Sequence, residues 1–140
     1  MGTDPRDVVR RFWDEVWTKG DAEALSEIFD PEVQENGLPV DVERFKRAVI
    51  SWRQIFPDFI VTIEELIPIG EDRVVSRVTY RGTQALAWAG IPATGRSFEV
   101  LGIDIFRTRD GRIIDFWHSA DHLEVAEQIG GTLAPKEGTS

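Results

Sequence analysis

A chain of 140 residues is the length of one domain, long enough to bury a core and too short for two. Its formal net charge of −9, with no basic cluster to offset it, repels polyphosphates and excludes nucleic acid as a partner. Cysteine is absent, which excludes disulfides, thiolate metal sites and a thiol nucleophile. The start, Met1 to Asp7, has no apolar signal region. No stretch approaches the roughly 20 apolar residues of a membrane span, so a soluble, cytoplasmic protein is expected.

Val8, Val9, Phe12, Trp13, Val16 and Trp17 recur at helical spacing, which predicts an amphipathic helix over 4–19. Asp4-Pro5 supplies its cap and first-turn proline, and Gly20 its end. A short second helix from Asp21 buries Leu25, Ile28 and Phe29 and stops near Pro31. Residues 32–36 form a strand candidate, and Asp41 opens a third helix with Val42, Phe45, Val49, Trp52 and Phe56 on one face. Pro57 ends that helix, because the residue before a proline is held extended.

Strands are expected over 59–68 and 73–84, separated by Gly70-Glu71-Asp72. In the second, Val74, Ser76, Val78, Tyr80, Gly82 and Gln84 share a face opposite Arg77, Thr79, Arg81 and Thr83. Residues 85–95 read as a loop. A hairpin follows, turning on Asp110-Gly111, then a short helix with Leu123, Val125, Ala126 and Ile129. The domain is placed at 1–131 and a disordered tail at 132–140. Helices followed by a run of strands give an α+β fold, with N-terminal helices packed on a curved, cone-shaped antiparallel sheet. The cone would enclose a small-molecule cavity.

A two-residue loop at Asp110-Gly111 pairs positions whose numbers sum to a constant, so Asp104 faces Trp117, Gly102 faces Ser119, Val100 faces Asp121 and Phe106 faces Asp115. Asp104, Trp117 and Asp121 would then line the cavity. Leu101, Ile103, Ile105, Ile114, Phe116 and His118 fall on the other face, which a second subunit would cover. A bulge would shift this register by one residue.

Asp121 is the leading candidate for chemistry, since a carboxylate beside Trp117 at an apolar cavity would exchange a proton near neutral pH. It equally suits the N-cap of the last helix, three residues before Glu124. Asp104, between Ile103 and Ile105, is either a second polar group in the cavity or a paired structural carboxylate. Trp13 and Trp17 serve either core packing or cavity walls. His118 and His122 make a poor metal pair without a third ligand, and packing or surface roles suit both. No phosphate-binding glycine loop and no Gly-x-Ser-x-Gly elbow is present.

Phe56-Pro-Asp58, Arg81-Gly-Thr-Gln84, Gly90-Ile-Pro-Ala-Thr-Gly-Arg96, Arg109-Asp-Gly-Arg-Ile113, Trp117 followed by Asp121, and Gln128-Ile-Gly130 occur in an order that resembles the SnoaL-like polyketide cyclases of the nuclear transport factor 2-like superfamily. The resemblance runs over about residues 7–131. It implies a deep hydrophobic cavity, a homodimer through the sheet, no cofactor, and aldol-type ring closure of a polyketide-like compound, as in antibiotic biosynthesis. It places the family's acid/base aspartate at Asp121. Family members commonly carry histidines where this chain has Asn36 and Gln84, and an amide donates a hydrogen bond but takes up no proton at neutral pH.

The expected function is therefore cofactor-independent, isomerase- or lyase-type chemistry on a hydrophobic carbonyl compound. Asp121 and Asp104 would be catalytic. Asn36, Gln84, Tyr80, Trp13, Trp17 and Trp117 would bind substrate, with no metal, no nucleic acid and no membrane involved. An epoxide hydrolase or epoxide-opening cyclase of the same fold, and a non-catalytic small-molecule binding protein, are the alternatives.

Overall fold

The computed structural model describes residues 4–133. Helix α1, Pro5–Arg11, starts where the Asp4 carboxylate accepts the Arg6 backbone N–H. From Phe12 to Thr18 the same helix widens into a π-helix, with Lys19 N–H donating to Asp14 O. A 3-10 turn, Ala22–Ala24, leads into α2, Leu25–Ile28. Phe29, expected in that helix, instead opens strand β1, Phe29–Glu35, which turns into β2, Leu38–Pro39. Helix α3, Val42–Ile55, is capped by Asp41.

Strands β3, Ile60–Ile69, β4, Arg73–Thr83, β5, Ser97–Arg109, and β6, Arg112–Ala120, complete the sheet, and α4, His122–Gln128, follows it. The order is β2-β1-β6-β5-β4-β3. All neighbours are antiparallel except β1 and β6, which run parallel. The result is the expected α+β fold, helices over a curved, unclosed sheet. The expected tail at 132–140 lies, beyond residue 133, outside the described residues.

The core sits between the helices and the inner face of β4, β5 and β6. Phe12 packs against Phe29, Phe106 and Phe116 at ring separations of 5.6–5.8 Å. Val74, Ser76, Val78, Tyr80 and Gly82 of β4, with Gln84 just beyond it, are buried, and Arg77 and Arg81 point outward, as the alternation predicts.

The hairpin register differs from the expected one. Next to the turn, Arg109 pairs with Arg112 and Thr108 with Ile113, with Asp110 and Gly111 at φ 53° and 74°. One step further β6 carries an extra residue, and from Arg107 onward the partners shift by one. Asp104 therefore faces His118 rather than Trp117, Phe106 faces Phe116 rather than Asp115, and Gly102 faces Ala120 rather than Ser119. The bulge has a packing counterpart: consecutive Ile113 and Ile114 are both buried, which strict alternation does not permit. Phe116 and His118 move to the inner face, and Trp117 moves to the outer face beside Ile105.

Candidate active site

A cavity of about 250 Å³ lies between the inner face of the sheet and the helices. Its walls are mostly aromatic, with Phe12, Trp13, Trp17, Trp52, Phe59 and Phe98 prominent. Glu35, Tyr80, His118 and His122 are the titratable groups that line it, and Asp104 stands behind His118.

The bulge creates the central pair. Asp104, in the middle of β5, is 1% exposed, and both of its carboxylate oxygens lie within hydrogen-bond distance of His118 Nδ1, at 2.9 and 3.0 Å. Holding Nδ1 in this way fixes the ring orientation and leaves Nε2 as the nitrogen free to meet a ligand. Burial pushes the Asp104 carboxyl above its usual range, against the pull of the bonded ring. Burial also works against a charged His118, but the Asp104 carboxylate, helped by Glu35, outweighs it and raises the imidazole. The pair thus holds its shared proton to higher pH than a free histidine would.

Glu35, at the end of β1, is raised by burial and by the Asp104 charge, with His118 acting in the opposite direction. His122 is shifted the other way, by burial and then by the His118 charge, so its ring is neutral at physiological pH. It sits against Trp52 and Trp88, at ring separations of 6.1 and 5.9 Å.

The other expected site residues divide clearly. Trp13, Trp17 and Tyr80 line the cavity, and the Trp13 indole donates to Ser76 Oγ at 3.2 Å. Asn36 does not enter it. At φ 52°, Asn36 closes β1 onto β6: its Oδ1 accepts from His118 N–H at 2.9 Å and its Nδ2 donates to His118 O at 3.4 Å. It positions the backbone of the site histidine. Gln84 is also occupied elsewhere, donating to Ile91 O and accepting from the backbone N–H and hydroxyl of Thr94, which pins the 85–95 loop.

Trp117, 40% exposed, and Asp121 do not join Asp104. The Asp121 carboxylate accepts Glu124 N–H at 3.0 Å as the N-cap of α4, and it borders an outer groove with Leu101 and Ile103. The cavity-facing position expected for it is not what the fold provides, because the bulge inverts the second half of β6.

His118, His122, Glu35, Trp52 and Phe59 are among the cavity residues that sequence reasoning missed. Trp52 was visible as part of an apolar helix face, but His118 depended on a bulge that no turn residue announces.

The SnoaL-like polyketide cyclase family model matches residues 7–129 of this sequence. The chain belongs to that family. Among curated proteins no significant match is found. Among solved structures, this SnoaL-like chain is similar to TsrD from Streptomyces laurentii, at 31% identity over 89% of this chain and 93% of that one, with a TM-score of 0.78. It is similar to IdmH from Streptomyces antibioticus, a proposed polyketide cyclase, at 29% identity over 91% and 99%, with a TM-score of 0.79. AclR from Streptomyces galilaeus, a proposed hydroxylase, shares the fold at 17% identity over 90% and 95%, with a TM-score of 0.77. The scaffold thus occurs under more than one named chemistry.

In this SnoaL-like chain neither Asn36 nor Gln84 lines the cavity; the histidines that line it are His118, four residues beyond the extra residue Ile114 of β6, and His122. Among the described residues no group of three or more potential ligands is placed to hold a metal, and no helix is long and apolar enough to cross a membrane.

Proposed function

We propose that this protein catalyses cofactor-independent, acid/base-assisted ring closure of a hydrophobic polyketide-type carbonyl compound, with His118 and Asp104 as the proton-transferring pair. The observation that carries the reading is the buried Asp104 carboxylate bonded to His118 Nδ1 at the wall of an aromatic cavity. His118 Nε2 removes a proton beside a carbonyl, and Asp104 stabilises the imidazolium that forms. The enolate carbon attacks a second carbonyl of the same molecule, forming the ring bond, and the imidazolium returns the proton to the new alkoxide. Glu35 supplies a second titratable carboxyl in the same space. A positioned base of this kind contributes ~10²–10⁴-fold, or ~3–5 kcal/mol of barrier.

Turnover of a linear polyketide-type substrate in isotopically labelled water tests this. Ring-closed product without solvent oxygen, abolished in His118→Gln and retained in Asp121→Asn, supports the reading. Solvent oxygen in the product would instead indicate epoxide hydrolysis. Loss of turnover in Asp121→Asn alone would return the chemistry to Asp121.

The outer face of the sheet supports a homodimer. Ile67, Val75, Ile105 and Trp117 form one cross-strand row, with Ile103 and Leu101 in the neighbouring rows. Leu101 and Ile103 are 52% and 49% exposed. A self-complementary apolar face of this kind suits a second copy. A monomeric mass by sedimentation would overturn that assignment.

A further inference from the structure

The cavity holds one charge that no cation of its own answers. Glu35 lines it at the end of β1, where its backbone is fixed between Leu38 of β2 and Phe116 of β6. What acts on its carboxylate is burial and the charges of His118 and Asp104, with no hydrogen bond among the described residues. A carboxylate at an apolar wall is costly unless something pairs with it. Among the described residues no lysine or arginine lines the cavity, and Arg53 beside it is spent on the backbone oxygens of Trp17, Phe59 and Pro57.

The walls offer aromatic carbon rather than donors. Trp17 and Trp52 are half-buried, but Nε1 of each is covered, so the indoles present ring carbon to the opening. The Tyr80 hydroxyl is covered too, and the Trp13 indole is bonded to Ser76. The polar side chains left open to the cavity are Glu35, His118 and His122. Neighbouring rings meet at steep angles: Trp17 with Phe45 at 74°, Trp17 with Phe59 at 70° and Trp52 with Phe59 at 85°. Electron-rich ring faces attract cations, and ammonium groups are held by such arrangements of rings.

The charge balance has the same sign. Asp104 and His118 together are neutral while they hold their shared proton and carry a negative charge once it is lost. Ionised Glu35 adds a second negative charge, while His122 is neutral and the Tyr80 phenol stays protonated. The site is therefore negative in both states of the pair, so one positive charge on a ligand is answered and a ligand carboxylate is repelled.

We infer that the cavity takes an organic cation, a ligand whose protonated amine or quaternary ammonium group pairs with the Glu35 carboxylate and lies against the rings of Trp17, Phe45 and Trp52, with its reacting carbonyl towards His118. The inference rests on the cavity being the substrate site. It adds that the compound closed there already carries its basic nitrogen, so the reaction that installs the amine precedes ring closure.

The test uses three probes that share a benzyl group and a tetrahedral head and differ in charge: benzyltrimethylammonium, neopentylbenzene and phenylmethanesulfonate. Binding is read by tryptophan fluorescence and by the proton resonances of the probe. The ammonium should bind about tenfold more tightly than neopentylbenzene, and the sulfonate more weakly than either. Its N-methyl protons should move upfield on binding, the ring-current mark of an aromatic wall. Glu35→Gln should weaken the ammonium about tenfold and leave neopentylbenzene unchanged. A quaternary ammonium does not titrate, so any pH response belongs to the protein: its affinity should rise as Glu35 ionises and again as the Asp104–His118 pair loses its proton.

Equal or tighter binding of neopentylbenzene, tighter binding of the sulfonate, or no saturable ammonium binding at millimolar concentration would overturn the inference. So would ammonium binding that is untouched by Glu35→Gln and lost in Asp121→Asn or Glu124→Gln, which would place the cation in the outer groove. The acid/base reading fails separately. If turnover survives in His118→Gln while the ammonium preference persists, that reading falls and this one stands.

Discussion

Asp104 and Asp121 belong to the same hairpin segment and end in opposite environments. Asp104 is buried behind the cavity wall against His118, and Asp121 is exposed at the start of α4 with its carboxylate on Glu124 N–H. Sequence logic favoured Asp121, because it follows Trp117 and occupies the position of the family aspartate. One extra residue in β6 places Asp104, and not Asp121, against a histidine of the cavity wall. The lesson is that a carboxylate gains proton-transfer chemistry from burial and a partner, and both depend on strand register.

The largest expected effect separates the two directly. Asp104→Asn should lower turnover by about 10²–10⁴-fold, and Asp121→Asn, which still caps a helix, should leave it unchanged. A reversed pair of rates would invert the comparison. Next comes Gly102→Ala, whose new methyl must displace Tyr80. It should cost ~1–3 kcal/mol in urea unfolding. Asp121→Ala is smaller, about 1 kcal/mol from the lost cap, with backbone exchange increased only in α4. No change on that substitution would mean that the cap contributes nothing.

The subtlest test is the titration of the two histidines. His118 should titrate above the ordinary histidine value and His122 below it, followed by NMR through their ring protons. For His118 the folded state binds the proton more tightly than the unfolded state. Its contribution to stability is therefore complete below pH 6.5, the ordinary value, and is lost as pH rises through the raised folded value. Asp104→Asn should remove that slope and lower the His118 value. In the wild type, turnover that needs neutral His118 should rise over the same window. Two histidines titrating together would contradict the asymmetry.

Much of the fold was legible for local reasons. Asp4-Pro5 and Asp41 announce helix starts because their side chains satisfy the first N–H groups, and Pro57 follows closely on the end of α3. The alternation in β4 assigns Tyr80 to the inner face without any knowledge of neighbours. Asp110-Gly111 marks the turn because it tolerates positive φ at both positions. Asn36 and Gln84 were legible as polar residues at meaningful places, but not in their roles. Each bonds a segment distant in sequence, His118 in one case and the 85–95 loop in the other.

By itself the sequence determined most of the elements, the α+β class, the family and the supply of aromatic rings, since these follow from local propensity, period and motif order. The tertiary structure alone decided which of two aspartates is buried and that His118 is its partner. Side chains alternate along a strand with period two, so one extra residue exchanges its faces. Whether that residue is accommodated depends on packing across the sheet, where both Ile113 and Ile114 are buried.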